Sequence, residues 1–344
     1  MCYGFLVLDL KAELKKNPFI LAPMAGITDS SFRTFMREMG CGIVITELVS
    51  AFGIEFRSPR TLDLMRFTEN QRPVGVQIFG EDAEVLARAA AFVEIYGADF
   101  VDINLGCPVP KVVKKGAGSA MLKDPVALQK VLALVKSNIK IPLTIKIRTG
   151  WDEQSINASE VVKAAYDAGV SWVAIHGRTR AQGYSGVADW DLIKKVKDSS
   201  PLPIIGNGDL VSARKAVDRL IQSGCDGVMI GRGCLKNPWI FREALQIWQS
   251  QNENTFERNF CKSLQRLKEL VDQRSDERYS LLQMKKFTSW FSSGYPNSQS
   301  FRRNLFQAPT SQEILEVAQD YFGRLDVSLQ ADTSGEAFLM GGHG

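Results

Sequence analysis

The sequence predicts an α/β fold, a (β/α)8 TIM barrel, followed by a small all-helical C-terminal domain. Short β-branched, apolar runs alternate with stretches of helical periodicity through the first two thirds of the chain, a pattern typical of parallel strands joined by crossover helices. A doubly wound sheet has the same rhythm, but eight such repeats, each ending in a Gly-rich or polar cluster, favour a closed barrel. After residue 255 only helical patterns continue, which indicates a second domain.

The elements follow in order along the chain. The eight predicted strands span 19–24, 43–49, 74–79, 100–105, 143–147, 172–176, 203–206 and 228–231. Helices are predicted between them, among others over 83–96, 126–135, 159–168 and 212–222, and a polar stretch at 249–255 predicts a linker. We therefore expect a barrel domain over 1–250, a helical domain over 251–327 and a disordered tail over 328–344, which is rich in Gly, Ser and Ala.

Composition and charge exclude several classes of protein. The 344 residues are 45% hydrophobic and 23% charged, which excludes a chain that is disordered or coiled-coil throughout. There is no apolar run of about 18 residues, and the apolar opening lacks a basic leader and is broken by Asp9. We therefore expect a soluble, cytoplasmic protein with no membrane contact, and a monomer.

The cysteines and histidines leave little room for a metal. Six cysteines are scattered without a CxxC pair, and His176 and His343 are the only histidines, so neither a zinc site nor a disulfide framework is predicted. The net charge of +4 is too small to identify a polyanionic partner by itself, but residues 257–303 hold ten Lys or Arg against five Asp or Glu. The basic surplus therefore lies in the helical part.

Candidate site residues follow the strand ends, because barrel enzymes carry their active sites at the carboxyl ends of their strands. In chain order these are Pro23, Met24, Ala25, Gln77, Asn104, Cys107, Lys146, Arg148, His176, Arg178, Arg180, Asn207, Gly208, Asp209, Gly231 and Arg232. The last two clusters, 207–209 and 231–232, suit a phosphate, because glycines allow close backbone approach at the loops where barrels commonly hold one. Tight turns are the alternative explanation for these glycines. Since no GxGxxG motif follows a strand, a mononucleotide such as FMN fits better than a resident dinucleotide.

Two polar residues in apolar strands point to a flavin. Lys146 inside a barrel needs an anion, which the N1/O2 edge of a reduced flavin would supply, although a pair with Glu47 is an alternative. Gln77 offers both a donor and an acceptor, as the pyrimidine edge of a flavin requires. His176 is either a satisfied core histidine or a contact of the flavin or its phosphate arm.

Cys107 differs from the other cysteines because it heads a basic, Gly-rich loop that includes Lys114 and Lys115. A thiol with an ordinary pKa of about 8.5 is mostly protonated at neutral pH and can donate a proton. A nucleophilic role would need an activating base, for which His176 is the candidate. We favour the acid.

The motifs together resemble the tRNA-dihydrouridine synthases, most closely the bacterial B-type branch. They are Ala-Pro-Met-Ala-Gly-Ile-Thr-Asp at 22–29, Asp-Ile-Asn-Leu-Gly-Cys-Pro at 102–108, Lys-Ile-Arg-Thr-Gly-Trp at 146–151, His-Gly-Arg-Thr-Arg at 176–180 and Asn-Gly-Asp at 207–209. The resemblance covers about residues 17–305 and implies an FMN-containing barrel with a helical RNA-binding domain. It implies that Pro23, Met24 and Ala25 lie against the flavin, that Gln77 and Lys146 bind its ring, and that 207–209 with Gly231 and Arg232 hold its phosphate arm.

The resemblance also implies the reaction. Asn104 would orient the ring and the substrate base, hydride would pass from flavin N5 to C6 of a uracil in tRNA, and Cys107 would protonate C5. NADPH would be the transient reductant. The expected RNA contacts are Lys114, Lys115, Arg148, Arg178, Arg180, Lys285, Lys286, Arg302 and Arg303, with the aromatic residues Trp290, Phe291 and Tyr295 either beside them or in the helix core.

One departure from the family pattern concerns the RNA contacts: Phe287 follows Lys285 and Lys286 where the family usually has His. Two other functions stay open at this point. One is an FMN barrel that acts on a free pyrimidine, which would not need the basic helical part. The other is a non-catalytic RNA-binding protein, against which Cys107, Lys146 and the two phosphate loops argue. Which uridine is modified cannot be predicted.

Overall fold

The computed structural model describes residues 8–250 and 257–331 of the chain. Its strands alternate with helices from residue 19 to residue 230, as the apolar runs predict. The described strands are β1 (Phe19–Leu21), β2 (Val44–Ile45), β3 (Val49–Ser50), β4 (Val74–Phe79), β5 (Phe100–Leu105), β6 (Leu143–Arg148), β7 (Trp172–His176), β8 (Ile204–Asn207) and β9 (Gly227–Ile230).

The sheet is parallel and closes on itself. Its order is β1-β9-β8-β7-β6-β5-β4-β2, with β3 pairing β4 further along the same strand. An isolated parallel bridge joins Ile20 to Ile43, and the N–H of Leu21 donates to the carbonyl of Ile43 at 3.0 Å. This contact connects the first and second barrel positions, so the prediction of a (β/α)8 barrel is confirmed.

The second barrel strand differs from its predicted form. The sequence pattern predicts one strand over 43–49, whereas the structure has β2 and β3 with Thr46 and Glu47 between them. There the Thr46 hydroxyl takes the place of a ladder carbonyl and accepts the N–H of Gln77 at 3.0 Å. The Glu47 side chain meanwhile turns toward Gly26, whose N–H it accepts at 2.5 Å. Side-chain hydrogen bonds thus replace part of the ladder and leave a carboxylate at the barrel mouth.

Helices cover the outside of the barrel and continue beyond it. Capping residues mark several of their ends: the Asp82 side chain accepts the N–H of Val85 at the start of the helix Ala83–Tyr96, and Gly97 ends that helix with φ of 93°. The described helices are α1 (Leu10–Lys16), α2 (Ser30–Glu38), α3 (Ala51–Glu55), α4 (Pro59–Met65), α5 (Ala83–Tyr96), α6 (Pro110–Val113), α7 (Pro125–Ser137), α8 (Ala158–Asp167), α9 (Trp190–Ser199), α10 (Ala213–Ser223), α11 (Gly233–Lys236), α12 (Ile240–Trp248), α13 (Phe260–Asp272), α14 (Glu277–Phe291), α15 (Ser298–Gln307) and α16 (Ser311–Phe322). Short 3₁₀ turns lie at Glu69–Gln71, Gly118–Lys123 and Val327–Leu329.

One end of the barrel is plugged by apolar side chains. Phe100 and Trp172, near the starts of their strands, meet edge to face at 5.5 Å and pack in one buried cluster with Leu10 and Leu14 of α1. A cavity of about 480 Å³ outside this end is lined in part by Lys11 and Lys15. Because the amino ends of the strands are closed in this way, polar chemistry is confined to the carboxyl ends.

The helices α13 to α16 form a layer that packs on α2 of the barrel. Phe287 of α14 stacks on Phe32 of α2 with ring centroids 4.6 Å apart, and Arg266 pairs with Glu38 at 2.8 Å. Trp290, Phe291 and Tyr295, which the sequence left between RNA contact and helix core, are all buried. They belong to the packing of this layer.

The domain bounds 1–250, 251–327 and 328–344 stay a prediction. Most of the linker and most of the tail lie outside the described residues. At the start of the tail, Gln330 donates to the carbonyls of Ser293 and Lys236, at 3.0 and 3.2 Å, and the N–H of Ala331 donates to Gly294 at 2.8 Å. Residues 330–331 are therefore attached to both the helical layer and the barrel side. None of the described helices has the length and apolar character needed to cross a bilayer.

Candidate active site

The strand register gathers the predicted side chains at one end of the barrel. Asn104 on β5 is level with Lys146 on β6, and Arg148 is level with His176 on β7. His176 is in turn level with Asn207 on β8. Because all these strands are parallel, their carboxyl ends form a single mouth.

Cys107 lies in the loop after β5, and its backbone is fixed on both sides. Asn104 Oδ1 accepts the N–H groups of Gly106 and Cys107 at 3.1 and 2.8 Å. The carbonyl of Cys107 accepts the hydroxyl of Ser119 at 2.9 Å. The residue is half-buried, and burial raises the pKa of its thiol, although a backbone hydrogen bond at Val109 and the charge of Arg148 oppose the shift. The thiol is therefore protonated at neutral pH and remains a potential proton donor.

A buried polar chain supports Asn104 from inside the barrel. Asn104 Nδ2 donates to Gln77 Oε1 at 2.9 Å, and Gln77 Nε2 donates to Asp102 at 2.7 Å. Asp102 also accepts the Thr144 hydroxyl at 2.6 Å. The Asp102 carboxylate is inaccessible to solvent, and burial raises its pKa to about 6. Gln77 thus already uses one donor and one acceptor within the protein, and one of each remains for a ligand.

Lys146 is a half-buried cation of the mouth. Its Nζ donates to Asn207 Oδ1 at 3.1 Å, and Asn207 Nδ2 donates to the carbonyl of Met229 at 2.6 Å. The alternative pair with Glu47 does not form, because Glu47 accepts from Gly26 instead. Burial lowers the pKa of Lys146 to about 8, the charge of Arg148 lowers it further, and Asp102 opposes the shift. A cation held only by a neutral amide is an incomplete site that suits an anion.

His176 stands next to this cation and is neutral. Only 8% of its surface is exposed, and burial together with the charges of Lys146, Arg148 and Arg178 lowers its pKa well below the ordinary value. A neutral imidazole can both donate and accept a hydrogen bond. Arg178 Nη1 is 3.3 Å from His176 Nε2.

Arg148 and Arg178, both predicted as RNA contacts, lie inside the site and are each only 3% exposed. Arg148 donates to the carbonyls of Gly106, Thr179 and Gly183 at 2.9, 2.8 and 2.7 Å. It therefore ties the Cys107 loop to the loop after β7. Arg178 donates to two carbonyls of that same loop and to Asp209 at 2.9 Å. Sequence inspection misses these partners because they are remote in the chain or are backbone carbonyls.

The predicted phosphate cluster at 207–209 is also held internally. The Asp209 carboxylate accepts the N–H of Ala188 at 2.7 Å in addition to Arg178. Gly208 has φ of +130°, and a Cβ on it would lie 2.4 Å from the Cβ of Ala188. Glycine is therefore required at this turn, as the alternative explanation proposes. Gly231 differs, because the atom nearest to a Cβ added there would be the Cβ of Ala22, at 3.6 Å.

Three further residues of the mouth were missed by sequence reasoning. Asp102 completes the polar chain, and Tyr184, 46% exposed, has its ring centroid 4.6 Å from the Arg232 guanidinium carbon and 5.7 Å from that of Arg148. The Trp151 ring lies under Lys123 Nζ at 3.6 Å and under the Arg180 guanidinium carbon at 4.4 Å. The Gly-Tyr and Gly-Trp pairs after β7 and β6 were the available signals, because an aromatic residue at a strand end can face the site.

Of the remaining predicted RNA contacts, some are exposed and others already donate hydrogen bonds within the protein. Lys114, Lys115 and Arg303 are exposed. Lys285 Nζ donates to the carbonyl of Phe306 at 3.0 Å, Lys286 Nζ to that of Gly26 at 2.6 Å, and Arg302 Nε to that of Ser298 at 3.2 Å. No group of three potential metal ligands occurs among residues 8–250 and 257–331.

A parallel barrel with a protonated thiol, a half-buried lysine and a neutral histidine around one mouth has the arrangement of a barrel enzyme. Residues 20–325 match the family model described as Dihydrouridine synthase (Dus). The probable tRNA-dihydrouridine synthase of Rickettsia bellii is 37% identical over 294 residues, which cover 84% of this chain and 90% of that protein. The tRNA-dihydrouridine synthase B of Pseudomonas putida is 44% identical over 229 residues, covering 66% and 68%. That of Shewanella oneidensis is 34% identical over 316 residues, covering 90% and 97%.

The chain belongs to the dihydrouridine synthase family. The resemblance seen in the motifs is thereby confirmed, since several of the similar proteins are of the B type.

Proposed function

We propose that this protein reduces uridines of tRNA to 5,6-dihydrouridine in the cytoplasm, and that Cys107 is the proton donor. The observation that carries the proposal is the thiol itself. It is protonated, held by Asn104 through the backbone and placed at the same barrel end as Lys146. Family membership supports the substrate, because the similar proteins bear the name of that reaction.

The residues of the mouth fit FMN as the cofactor. Lys146 is a half-buried cation whose hydrogen bond goes to a neutral amide, so it can hold an anionic ring edge. Gln77 retains one donor and one acceptor for the same ring. Pro23, Met24 and Ala25 would lie against the cofactor. Asn207, Gly208, Asp209, Gly231 and Arg232 would surround its phosphate arm, and His176 would contact it as a neutral imidazole.

The chain's own residues then divide the reaction between them. When bound, reduced FMN supplies the hydride for C6 of the uracil, and NADPH is the reductant that restores it. Cys107 gives its proton to C5. Asn104 fixes the Cys107 backbone, while Arg148 holds the same loop through the carbonyl of Gly106. These contacts fix the backbone that carries the thiol, and proton transfer at hydrogen-bond range depends on such positioning.

RNA would be held by exposed cations on both parts of the chain. A uridine in folded tRNA is stacked and must be drawn out to reach the mouth. We assign phosphate contacts to the exposed Lys114, Lys115 and Arg303 and to Arg180, Lys285 and Arg302, which keep donors beyond those already used. Arg148 and Arg178 are positioning residues in this proposal. In this proposal the domain 1–250 holds the cofactor, performs the chemistry and contributes some of the RNA contacts, and the domain 251–327 supplies the others.

The test follows a single turnover. Full-length protein loaded with FMN and reduced by NADPH without oxygen is mixed with unmodified tRNA transcript, and flavin oxidation is recorded. For Cys107→Ala we expect retained FMN and oxidation by tRNA slower by about 100-fold or more, because a positioned acid contributes 10²–10⁴. Cys261→Ala on α13 is the control with the same chemical change outside the mouth. Oxidation of the Cys107→Ala protein at the wild-type rate would remove the acid role, and a wild-type protein that leaves uridine unchanged would overturn the function.

A further inference from the structure

The loop between β1 and α2 is held from two sides by different parts of the molecule. From the barrel, Glu47 accepts the N–H of Gly26 at 2.5 Å. From the helical layer, Lys286 Nζ donates to the carbonyl of Gly26 at 2.6 Å. Both hydrogen-bonding groups of one residue are therefore occupied by side chains that lie far apart in the chain.

A second bond from α14 reaches the end of the same loop. The Tyr279 hydroxyl donates to Asp29 Oδ2 at 2.8 Å, and Asp29 is the residue that caps α2. Tyr279 and Lys286 are seven residues apart, which is two turns of helix, so both side chains leave the same face of α14. This face spans the loop from Gly26 to Asp29.

Packing fixes the position of α14 relative to the loop. Phe287, next to Lys286, stacks on Phe32 of α2 with ring planes 6° apart. The Lys286 ammonium also lies 5.6 Å from the ring centroid of Trp290. The long lysine chain is thus guided toward Gly26 instead of being free in solvent.

The charges on the two sides are complementary. Burial lowers the pKa of Lys286, and the nearby carboxylates of Asp29 and Glu47 oppose this shift. Arg33, fully buried in α2, donates to the carbonyl of Thr28 at 2.6 Å. Cations and carboxylates therefore both surround the loop, and removal of Lys286 leaves a carbonyl with one hydrogen bond fewer and two carboxylates with one positive charge fewer nearby.

We propose that Lys286 and Tyr279 of the helical layer are positioning residues for the cofactor loop, so that docking of this layer completes the flavin site. Gly26 directly follows Pro23, Met24 and Ala25, the residues assigned above to the flavin surface, and the inference rests on that proposed function. Gly26 has φ of 72°, and a Cβ added to it would have no atom within 4 Å. The loop is also held from within, because the carbonyl of Met24 accepts the N–H groups of Ile27 and Thr28 at 3.1 and 3.0 Å. The bonds from Glu47 and Lys286 add to these contacts and fix the peptide groups of Gly26 itself. Lys286 has this role in place of the phosphate contact that its basic surroundings predict.

The experiment measures FMN affinity of the full-length apoprotein without RNA or NADPH, by quenching of flavin fluorescence. We expect Lys286→Met to weaken FMN binding about 10-fold, as loss of a charge-assisted hydrogen bond does. Lys286→Arg should restore most of the affinity, and Tyr279→Phe should weaken it about 3-fold. Lys285→Met is the matched control, because Lys285 bonds to Phe306 within the helical layer, and we expect its FMN affinity to equal that of the wild type.

The outcomes separate the alternatives. If Lys286→Met binds FMN as the wild type does, the inference is overturned, whether or not tRNA affinity falls. If the Lys286→Met protein does not fold, the Tyr279→Phe variant is the test. FMN affinity equal to that of the wild type in Tyr279→Phe would then overturn the inference. Failure of the proposed function would be seen in the tRNA experiment instead, as wild-type protein that binds FMN but leaves uridine unreduced.

Discussion

Burial sets the protonation state of each titratable side chain at the mouth. It keeps the proton on Cys107, removes the charge of His176 and brings the pKa of Lys146 to about 8. A thiol donor, a neutral imidazole and the cations Lys146, Arg148 and Arg178 thus coexist within a single polar cluster. As pH rises through about 8, Lys146 loses its charge, so an anionic ligand should bind best below that pH.

The buried carboxyl group of Asp102 gives a prediction about stability, also at the residue scale. Its pKa in the folded protein is raised from 3.8 to about 6, so its protonated form favours folding below pH 4, and this contribution is lost as pH rises through 6. Asn is isosteric and does not titrate. We expect Asp102→Asn to gain stability relative to the wild type between pH 4 and pH 7.5, by about 3 kcal/mol for a shift of about two units.

The measurement is the free energy of unfolding in urea at both pH values, on apoprotein. Asp191→Asn on the exposed start of α9 is the control, and every other group titrates alike in the two proteins. A stability difference that stays constant with pH would contradict the buried carboxylate.

Sequence analysis identified those site residues that can be recognised from their immediate neighbours in the chain. Cys107, Lys146 and His176 stand at strand ends, and the barrel rule alone brings them to one mouth. Asp102 was missed because its neighbours in the run are apolar and its partners, Gln77 and Thr144, are on other strands. The same limit applies to Arg178, whose acidic partner is 31 residues away.

At the scale of the element, loops and not strands decide the site. The strands after β3 agree with their predicted bounds to within one residue, because hydrophobic period and length suffice to identify them. The division of the second strand into β2 and β3 was not predictable, since it depends on Thr46 and Glu47 finding partners in β4 and in the loop after β1. Those partners exist only once the barrel has closed.

The turn after β8 offers a test of such a loop. Gly208→Ala would place a methyl group 2.4 Å from the Cβ of Ala188 at φ of +130°. We expect a loss of about 2 kcal/mol or more in unfolding free energy, from strain and from displacement of the loop that carries Ala188. Gly231→Ala is the matched control, because its nearest contact would be 3.6 Å. Thermal melting of the two apoproteins checks this, and equal melting temperatures would show that the loop gives way freely.

At the scale of the whole molecule, the two parts of the chain meet beside the mouth, where α2 packs on α13 and α14. Phe32 and Phe287 stack there, and Ser31 donates to the carbonyl of Leu270 at 2.9 Å. The basic surplus of 257–303 predicted the presence of a cationic part, but not which cations are used internally. Lys286 and Arg266 turn toward the barrel, so the surface charge available to RNA is smaller than the sequence count suggests.

This geometry predicts that lysines at the two ends of the barrel contribute differently to the salt dependence of RNA binding. Each phosphate contact adds about 0.7 to 0.9 to the slope of log K against log salt concentration. The exposed Lys114 and Lys115 lie at the mouth, whereas the equally exposed Lys11 and Lys15 on α1 lie at the closed end of the barrel. We expect the double variant Lys114→Gln/Lys115→Gln to lower the slope for tRNA by between about 1 and 2, and Lys11→Gln/Lys15→Gln to leave it within about 0.3 of the wild-type value. Both double variants change the net charge equally, so a difference between them reports position. If they lowered the slope by the same amount, RNA would be bound by overall charge and not at the mouth, since a long-range attraction does not distinguish the two ends.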